Sequence, residues 1–199
     1  MLGKNPGKMA KGKLVIISAP SGAGKTTIVK YIMEKNRALG FSVSATSRAP
    51  RAGESDGVDY HFLTVDDFTK KIDQGLFVEW EEVYPGQYYG TLLSEIERLR
   101  SMGKHLVFDV DVKGGINLKR KFGNDAISLF IMPPSVKELE SRLRLRGKES
   151  EEKIRMRVEK AAIELTDSAL FDFIVVNDNL TQAQDQALDI INAFLNSKG

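Results

Sequence analysis

The sequence predicts an α/β fold built on a parallel central sheet, and three observations support this. Short apolar runs alternate along the chain with longer segments of helical character, as in βαβ units. The first run, residues 14–18, is apolar and β-branched, as strands buried on both faces are, and a Gly-rich turn follows it. At 199 residues the chain is long enough for one such domain with a small insertion, but not for two large domains.

Charge balance and cysteine content limit the classes of partner and of cellular location. The 29 basic and 27 acidic residues give a formal net charge of +2, so no overall field favours nucleic acid or an anionic membrane. There is no Cys, and His61 and His105 are too few for an all-protein zinc site. No run of about 20 apolar residues occurs. We expect a cytoplasmic protein, monomeric or a small homo-oligomer, that binds neither nucleic acid nor membranes.

We expect no targeting signal in the N-terminal segment. Residues 1–13 carry four lysines among glycines and have no apolar core of signal-peptide length. We therefore expect a flexible tail over residues 1–13 and a single domain over residues 14–199.

The first predicted strand ends in a phosphate-binding loop, residues 19–26 (APSGAGKT), and a helix is predicted over residues 26–36. Ala19 stands where the usual motif has Gly. In such a loop, backbone N–H groups and the helix N-terminus surround the phosphates, Lys25 reaches their oxygens, and Thr26 supplies a hydroxyl to Mg²⁺. Because a strand precedes the loop and a helix follows it, the motif predicts nucleoside triphosphate binding rather than an ordinary turn with an exposed lysine.

A second anion site is predicted in residues 46–54 (TSRAPRAGE). Arg48 and Arg51 lie three residues apart and can hold one phosphate from two sides, helped by the phenol hydroxyls of Tyr60 and Tyr89. The alternative is a pair of solvated surface arginines. Two anion sites within about 30 residues, as a compact α/β fold allows, suggest that a phosphate is transferred from one ligand to another.

The pattern changes between residue 48 and about residue 94, where glycines separate short aromatic runs. We interpret this part as an inserted subdomain with small strands. Within it, Thr64 and Asp67 match a capping box that opens a helix, and Gly75 ends that helix.

The parallel core resumes after the insertion. The other core strands are predicted at residues 41–45, 105–110, 127–131 and 173–176. Ser135 and Glu138 form a capping box for a helix that runs to about Arg146, where Gly147 breaks it. A charge-rich helix is predicted over residues 151–166. This helical hairpin can serve as a mobile cover.

Several segments match one family pattern at its own spacing. They are residues 46–48, 60–63, 77–80, 88–90, 108–111 and 176–178, with Arg51, Glu54 and Gly57. On these motifs the chain resembles guanylate kinase over residues 14–194. The resemblance implies a P-loop NTPase three-layer fold with an inserted NMP-binding subdomain and a helical lid, and phosphorylation of GMP or dGMP by ATP with Mg²⁺. The implied divisions are a core of residues 14–47, 92–135 and 168–199, a GMP-binding region of residues 48–91 and a lid of about 136–167.

The resemblance also implies roles for individual residues. Around ATP it places Ala19, Pro20, Ser21, Gly22, Ala23, Gly24, Lys25, Thr26, Thr27 and Asn177. Around GMP it places Ser44, Arg48, Arg51, Glu54, Tyr60, Glu79, Tyr89, Thr91, Asp109 and Asp111. The catalytic cations are Lys25, Arg142, Arg146 and Arg157. Thr26 is the one protein ligand expected for Mg²⁺, with water and phosphate oxygens as the others.

The chemistry of guanine supports the assignment of Glu79. Guanine presents N1–H and N2–H₂ donors that a carboxylate complements, and the hydroxyls of Ser44 or Thr91 can reach its O6 acceptor. Adenine would leave the carboxylate facing an unprotonated N1, and such a mismatch discriminates by about 10⁴ or more in favourable sites. A strand-edge carboxylate in solvent is the alternative for Glu79.

The acceptor phosphate is already an anion, because its second pKa is near 6, so no general base is required and neither histidine receives a role. Cations around the transferring group lower the remaining barrier. Arg142 and Arg146 lie on one helical face and fit this need, although such arginines also favour the helix macrodipole. Asp109 and Asp111 share a face. They either orient Mg²⁺ waters or the clamp arginines, or Asp109 is a buried ion-pair partner. Lys113 replaces a Gln common in the family and receives no role.

Two alternative functions remain at this point. Scaffold proteins contain guanylate-kinase-like domains that bind phosphopeptides through the arginine clamp, but these typically lack an intact P-loop. A kinase for AMP, dTMP or UMP would keep the P-loop without the pattern of residues 48–63. Because Lys25, Thr26, Arg146 and Arg157 are all present, the sequence favours a GMP kinase.

Overall fold

The structure is a computed structural model that describes residues 12–145 and 150–197. Its strands, in chain order, are β1 (Leu14–Ser18), β2 (Leu39–Ser42), β3 (Ala45–Thr46), β4 (His61–Phe62), β5 (Phe77–Tyr84), β6 (Gln87–Leu92), β7 (His105–Val110), β8 (Ala126–Met132) and β9 (Phe173–Val176). Five of them form a parallel sheet in the order β2-β7-β1-β8-β9, and four form a smaller mixed sheet in the order β4-β3-β6-β5. The predicted α/β fold with a parallel core is confirmed.

Seven α-helices accompany the strands in these two ranges of the chain. They are α1 (Lys25–Lys35), α2 (Val65–Asp73), α3 (Leu93–Ser101), α4 (Val112–Phe122), α5 (Val136–Leu145), α6 (Glu151–Thr166) and α7 (Leu180–Asn196). Two of them start at the predicted caps, because the Thr64 hydroxyl accepts from the Asp67 N–H and the Ser135 hydroxyl from the Glu138 N–H. The predicted break at Gly147 and most of the expected N-terminal tail lie outside the described residues.

Strand β1 occupies the centre of the parallel sheet because it is apolar along its whole length. All five of its residues are buried, and Leu14 lies opposite both Leu106 and Ala126 on the neighbouring strands. Val15 and Ile17 pack towards α1 and α7 in one hydrophobic cluster, whereas Leu14 and Ile16 belong to a second cluster with residues of α3 and α4. The result is three layers, with the carboxyl ends of β1 and β7 at one edge of the sheet.

The predicted strand over residues 41–45 is wrong in its extent. The core strand β2 ends at Ser42, and after Val43 and Ser44 the chain enters the other sheet as β3, where Ala45 pairs with Gly90 and with His61. Residues on both sides of this crossover are buried, so the apolar run continues although the chain changes sheets. This crossover places Ser44 between the two sheets.

The smaller sheet has its own core, as predicted for an inserted subdomain with small strands. The Phe68 ring of α2 is fully buried and stacks on Phe77 and Tyr88 of the hairpin β5–β6, at ring-centroid distances of 4.3 and 5.5 Å. These aromatic contacts attach α2 to the face of the sheet. The predicted helical hairpin is also present, since Leu139 and Leu143 of α5 pack with α6.

No helix within the described part of the chain combines the length and the apolar composition needed to cross a bilayer.

Candidate active site

A cleft of about 350 Å³ lies at the carboxyl ends of β1 and β7, where the smaller sheet and α6 face the parallel sheet. Most of the residues predicted for the site line it. From the phosphate loop and α1 these are Ala19, Pro20, Ser21, Gly22, Gly24, Lys25, Thr26 and Thr27, and from elsewhere Ser44, Arg51, Tyr60, Glu79, Tyr89, Asp109, Asp111 and Arg157. The fold therefore brings both predicted anion sites into one cavity.

The phosphate loop needs glycine for conformation and for space. Gly22 and Gly24 have φ angles of 101° and 95°, which side chains rarely adopt. A Cβ on Gly24 would lie 2.3 Å from the Asn177 side-chain nitrogen. That nitrogen donates to the Ala23 carbonyl over 2.7 Å, and both residues are buried. The structure thus places Asn177 behind the loop, as a brace for its backbone, and Ala23 outside the cleft lining.

The end of strand β7 holds the side chain of the loop lysine. The Lys25 ammonium lies 2.5 Å from the Asp109 carboxylate and donates to the Val110 carbonyl over 2.6 Å. Asp111 caps α4 by accepting from the Gly114 N–H over 2.9 Å, and it also faces the cleft. Of the alternatives for Asp109, the structure shows the ion pair.

The two clamp arginines have different surroundings. Arg48 does not line the cleft, because its guanidinium is bound to both oxygens of Glu54 at 2.7 Å and donates to the Tyr89 hydroxyl at 3.1 Å. It also lies 4.9 Å from the ring centroid of Tyr60. The hydrogen bond from Arg48 lowers the pKa of Glu54 to about 2. Glu54 also accepts a hydrogen bond from the backbone N–H of Arg51, and Arg51 lines the cleft.

The strand β5 contributes a carboxylate, Glu79, to the cleft lining. The Thr91 hydroxyl, fully buried, donates to it over 2.7 Å between β5 and β6. Burial, with a smaller contribution from the nearby Asp111, raises the pKa of Glu79 to about 7 against the opposing effect of the Thr91 hydrogen bond. A Cβ on Gly114 would lie 2.9 Å from a Glu79 oxygen. Ser44 lines the same cleft as Glu79, whereas Thr91 lies outside the cleft lining and contacts Glu79 through its hydroxyl.

The lid arginines divide into three cases. Arg157 of α6 lines the cleft and donates to the Ser21 hydroxyl in the phosphate loop over 2.8 Å. Arg142 lies outside the cleft lining and donates to Glu138 and to the Asn177 carbonyl. Arg146 lies outside the described residues.

Sequence reasoning did not assign six residues of the cleft lining to the site; Gly90 and Val110 are two of them, and the other four come from β5 and α6. Val83, Tyr84, Lys160 and Glu164 all face the cavity. The Lys160 ammonium lies 3.4 Å from Glu164 and 5.1 Å from the ring centroid of Tyr84, and burial raises the pKa of Glu164. Helical spacing could have identified two of them, because Lys160 and Glu164 follow Arg157 at intervals of three and seven residues on one face of α6.

Within the two described ranges, no group of three or more His, Cys, Asp or Glu side chains is arranged to hold a metal ion. The hydroxyls of Thr26 and Thr27 face the cleft at the start of α1, next to Lys25. This arrangement fits a Mg²⁺ ion that arrives with nucleotide phosphates and keeps most of its water ligands.

Comparison with known proteins gives a consistent result. The family model described as guanylate kinase matches residues 11–194. The guanylate kinase of Bacteroides thetaiotaomicron is 47% identical over 191 residues, covering 96% of this chain and 94% of the relative. That of Chlorobaculum tepidum is 49% identical over 185 residues, covering 93% and 94%. The crystal structure of guanylate kinase from Anaplasma phagocytophilum is 28% identical, with a TM-score of 0.77, covering 94% of this chain and 88% of that one. Because the family model spans residues 11–194, more than half of its length, this chain belongs to the guanylate kinase family.

Proposed function

We propose that this protein transfers the γ-phosphoryl group of ATP to GMP, giving ADP and GDP, and that it accepts dGMP at the same site. The observation that carries the proposal is that one cleft is lined both by the phosphate loop and by Arg51, Tyr60 and Glu79. Direct transfer requires two nucleotides to meet with their phosphates in line, and a shared cleft satisfies this requirement.

The acceptor phosphate binds to Arg51, Tyr60 and Tyr89, which face the cleft from the smaller sheet. Arg48 supports this group from behind through its bond to the Tyr89 hydroxyl and its position over Tyr60. Glu54 in turn fixes the guanidinium of Arg48 with two charge-assisted hydrogen bonds. The negative charge of Glu54 offsets the positive charge of Arg48. Arg51 therefore contributes more positive charge than Arg48 to the binding of the acceptor phosphate.

The guanine base binds at the Glu79 end of the cleft. Its N1–H and N2–H₂ groups donate to the carboxylate, which Thr91 orients, and the hydroxyl of Ser44 serves O6. Because Glu79 is largely buried, a base that cannot donate at N1 leaves a desolvated carboxylate without a partner. This cost selects guanine over adenine.

Cations lower the barrier to transfer between two anionic nucleotides. Lys25 and Arg157 both line the cleft, and the Arg157 contact with Ser21 joins α6 to the phosphate loop. Arg142 reaches the phosphates only if it leaves Glu138 and the Asn177 carbonyl, so we assign it to a rearranged lid. Thr26 would hold Mg²⁺ together with the phosphates of ATP, and the ion would supply positive charge against the negative charges of the phosphates.

The division of labour follows the predicted boundaries except at the crossover, because β3 and the last residue of β6, predicted as core, belong to the smaller sheet. The smaller sheet and residues 48–91 bind GMP, and the helices α5 and α6 form a lid that excludes water during transfer. A cytoplasmic location agrees with the absence of cysteine from the sequence.

The test is a coupled assay of purified protein with ATP, Mg²⁺ and each of the monophosphates GMP, AMP, CMP and UMP. We expect rapid ADP formation only with GMP, together with GDP identified by chromatography. Turnover of AMP at a rate equal to that of GMP would refute the guanine assignment. ADP formation without GDP would instead indicate hydrolysis of ATP.

A further inference from the structure

The crossover between the two sheets, Val43 and Ser44, is held by a residue of helix α3. Glu95 lies in the first turn of α3 and is only 5% exposed. Its carboxylate accepts a buried hydrogen bond of 3.0 Å from the Val43 N–H. The residue that follows this anchored N–H is Ser44, which lines the same cleft as Glu79. A fixed point on the parallel core therefore lies one residue from the base-binding pocket.

The same carboxylate also connects to the smaller sheet. The Ser44 carbonyl accepts from the His61 N–H of β4 over 2.9 Å, so β4 holds Ser44 from the other side. The imidazole Nε2 of His61 lies 3.5 Å from an oxygen of Glu95. Glu95, Val43, Ser44 and His61 thus form a closed set of contacts around the crossover.

Arg98 completes this arrangement. It lies one turn along α3 and donates to both oxygens of Glu95, over 2.9 and 2.8 Å. Its Nη2 also reaches the Phe41 carbonyl at the end of the core strand, over 3.3 Å. Through these bonds with Arg98 and Val43, the pKa of Glu95 is lowered, although burial alone would raise it. The carboxylate is therefore charged, and both of its oxygens accept hydrogen bonds.

A buried ion pair is weak evidence for stability, because desolvation offsets most of the attraction. The neighbours of Glu95 on the buried face of α3 are the apolar Ile96 and Leu99, and an apolar residue could fill its place. A role in holding one conformation explains a buried carboxylate better. Here the conformation held is that of the segment carrying Ser44.

We propose that Glu95 is a positioning residue for nucleobase recognition, which fixes the Ser44 hydroxyl relative to Glu79 by accepting from the Val43 N–H. The inference rests on the proposed function, since it assumes that guanine binds between Ser44 and Glu79. Glu95 itself contacts no substrate. Its effect passes through the backbone of the crossover.

The test is a double-mutant cycle between Glu95 and Ser44, read as the Kd for GMP by calorimetry without ATP. We expect Glu95→Ala and Ser44→Ala each to weaken GMP binding by roughly tenfold, as for the loss of one hydrogen bond. The double variant should bind no more weakly than Ser44→Ala alone. A double variant whose loss of GMP affinity equals the product of the two single losses would overturn the proposal, because it would show that Glu95 acts independently of Ser44.

Two further variants separate positioning from general damage. Glu95→Gln keeps an oxygen that accepts from Val43, so we expect it to restore most of the affinity for GMP; a loss equal to that of Glu95→Ala would overturn the proposal. The matched control is Glu97→Ala, which removes an exposed carboxylate from the same helix and should leave Kd unchanged. For Glu95→Ala we expect KM for GMP to rise with kcat and KM for ATP within about threefold of wild type. A fall in kcat as large as the rise in KM would contradict a role in base positioning.

These measurements distinguish the inference from the proposed function. If the wild-type protein binds GMP but does not phosphorylate it, the proposed kinase activity is refuted. The double-mutant cycle measures Kd for GMP, so it would still test the role of Glu95. Thermal melting of each variant verifies folding. If Glu95→Ala does not fold, the test uses the variants Glu95→Gln and Ser44→Ala instead. A folded Glu95→Gln variant that loses GMP affinity would refute the proposal.

Discussion

The ammonium of Lys25 is paired with the carboxylate of Asp109 at 2.5 Å, and this contact joins the phosphate loop to strand β7. The two residues are 84 positions apart in the chain (109 − 25) and meet because β1 and β7 are parallel neighbours, with Ile17 opposite Asp109. A lysine held in this way is oriented before a phosphate binds. The phosphate then competes with Asp109 for the same positive charge.

Lys25→Met should reduce kcat/KM by about 10³ or more, because the cation that stabilises the transferring phosphoryl group is lost. The measurement is steady-state kinetics with saturating ATP and Mg²⁺. Lys30→Met, on the exposed side of the same helix, is the control and should retain wild-type kinetics. A Lys25→Met variant within tenfold of wild type would mean that the donor site lies elsewhere.

Arg51→Ala should raise KM for GMP and lower kcat/KM by about 10² to 10³, because Arg51 is the clamp arginine that faces the cleft. KM for ATP should change little. Arg155→Ala removes an exposed lid arginine and provides the comparison. Equal effects of the two substitutions would argue against a specific acceptor site.

Glu79→Gln should change how stability depends on pH. Burial raises the pKa of Glu79 from 4.5 to about 7, so the folded protein takes up a proton at this site more readily than the unfolded chain does. This stabilisation is fully present below pH 4.5 and is lost as pH rises through 7, by up to about 3 kcal/mol. The free energy of unfolding of wild type, minus that of Glu79→Gln, should therefore fall between pH 4.5 and pH 8. Urea titrations of ligand-free protein measure it, and a difference that stays constant across this range would refute the shifted titration.

Gly114→Ala should weaken GMP binding without lowering stability much. An added Cβ would lie 2.9 Å from Glu79 and from Asp111, so one of these carboxylates has to move. Alanine favours helix by about 1 kcal/mol over glycine, which compensates for part of the strain in α4. We expect KM for GMP to rise about tenfold, with kcat affected less. The control is Lys113→Ala, at the exposed neighbouring position, which should leave KM for GMP unchanged. If Gly114→Ala also leaves KM for GMP unchanged, the two carboxylates adjust freely and the prediction is wrong.

Short sequence patterns predicted the elements that depend on interactions between residues close together in the chain. The capping residues Thr64 and Ser135 begin helices because a side-chain hydroxyl satisfies a nearby N–H, and that interaction spans only three residues. The crossover at Val43 and Ser44 was mispredicted as continuous strand, because alternation and hydrophobicity are alike on both sides of it. Which sheet receives Ala45 depends on pairing with Gly90, far along the chain.

The sequence alone predicted the parallel core, which the structure confirms, and a glycine-rich loop between the first strand and the first helix, because these depend on residue type and short spacing. Only the tertiary structure decided that Arg48 lies behind the cleft, that Asp109 pairs with Lys25, and that Lys160 and Glu164 face the cavity. Contacts of this kind join residues from different elements. They follow from how the two sheets and α6 pack, and a one-dimensional pattern does not contain that information.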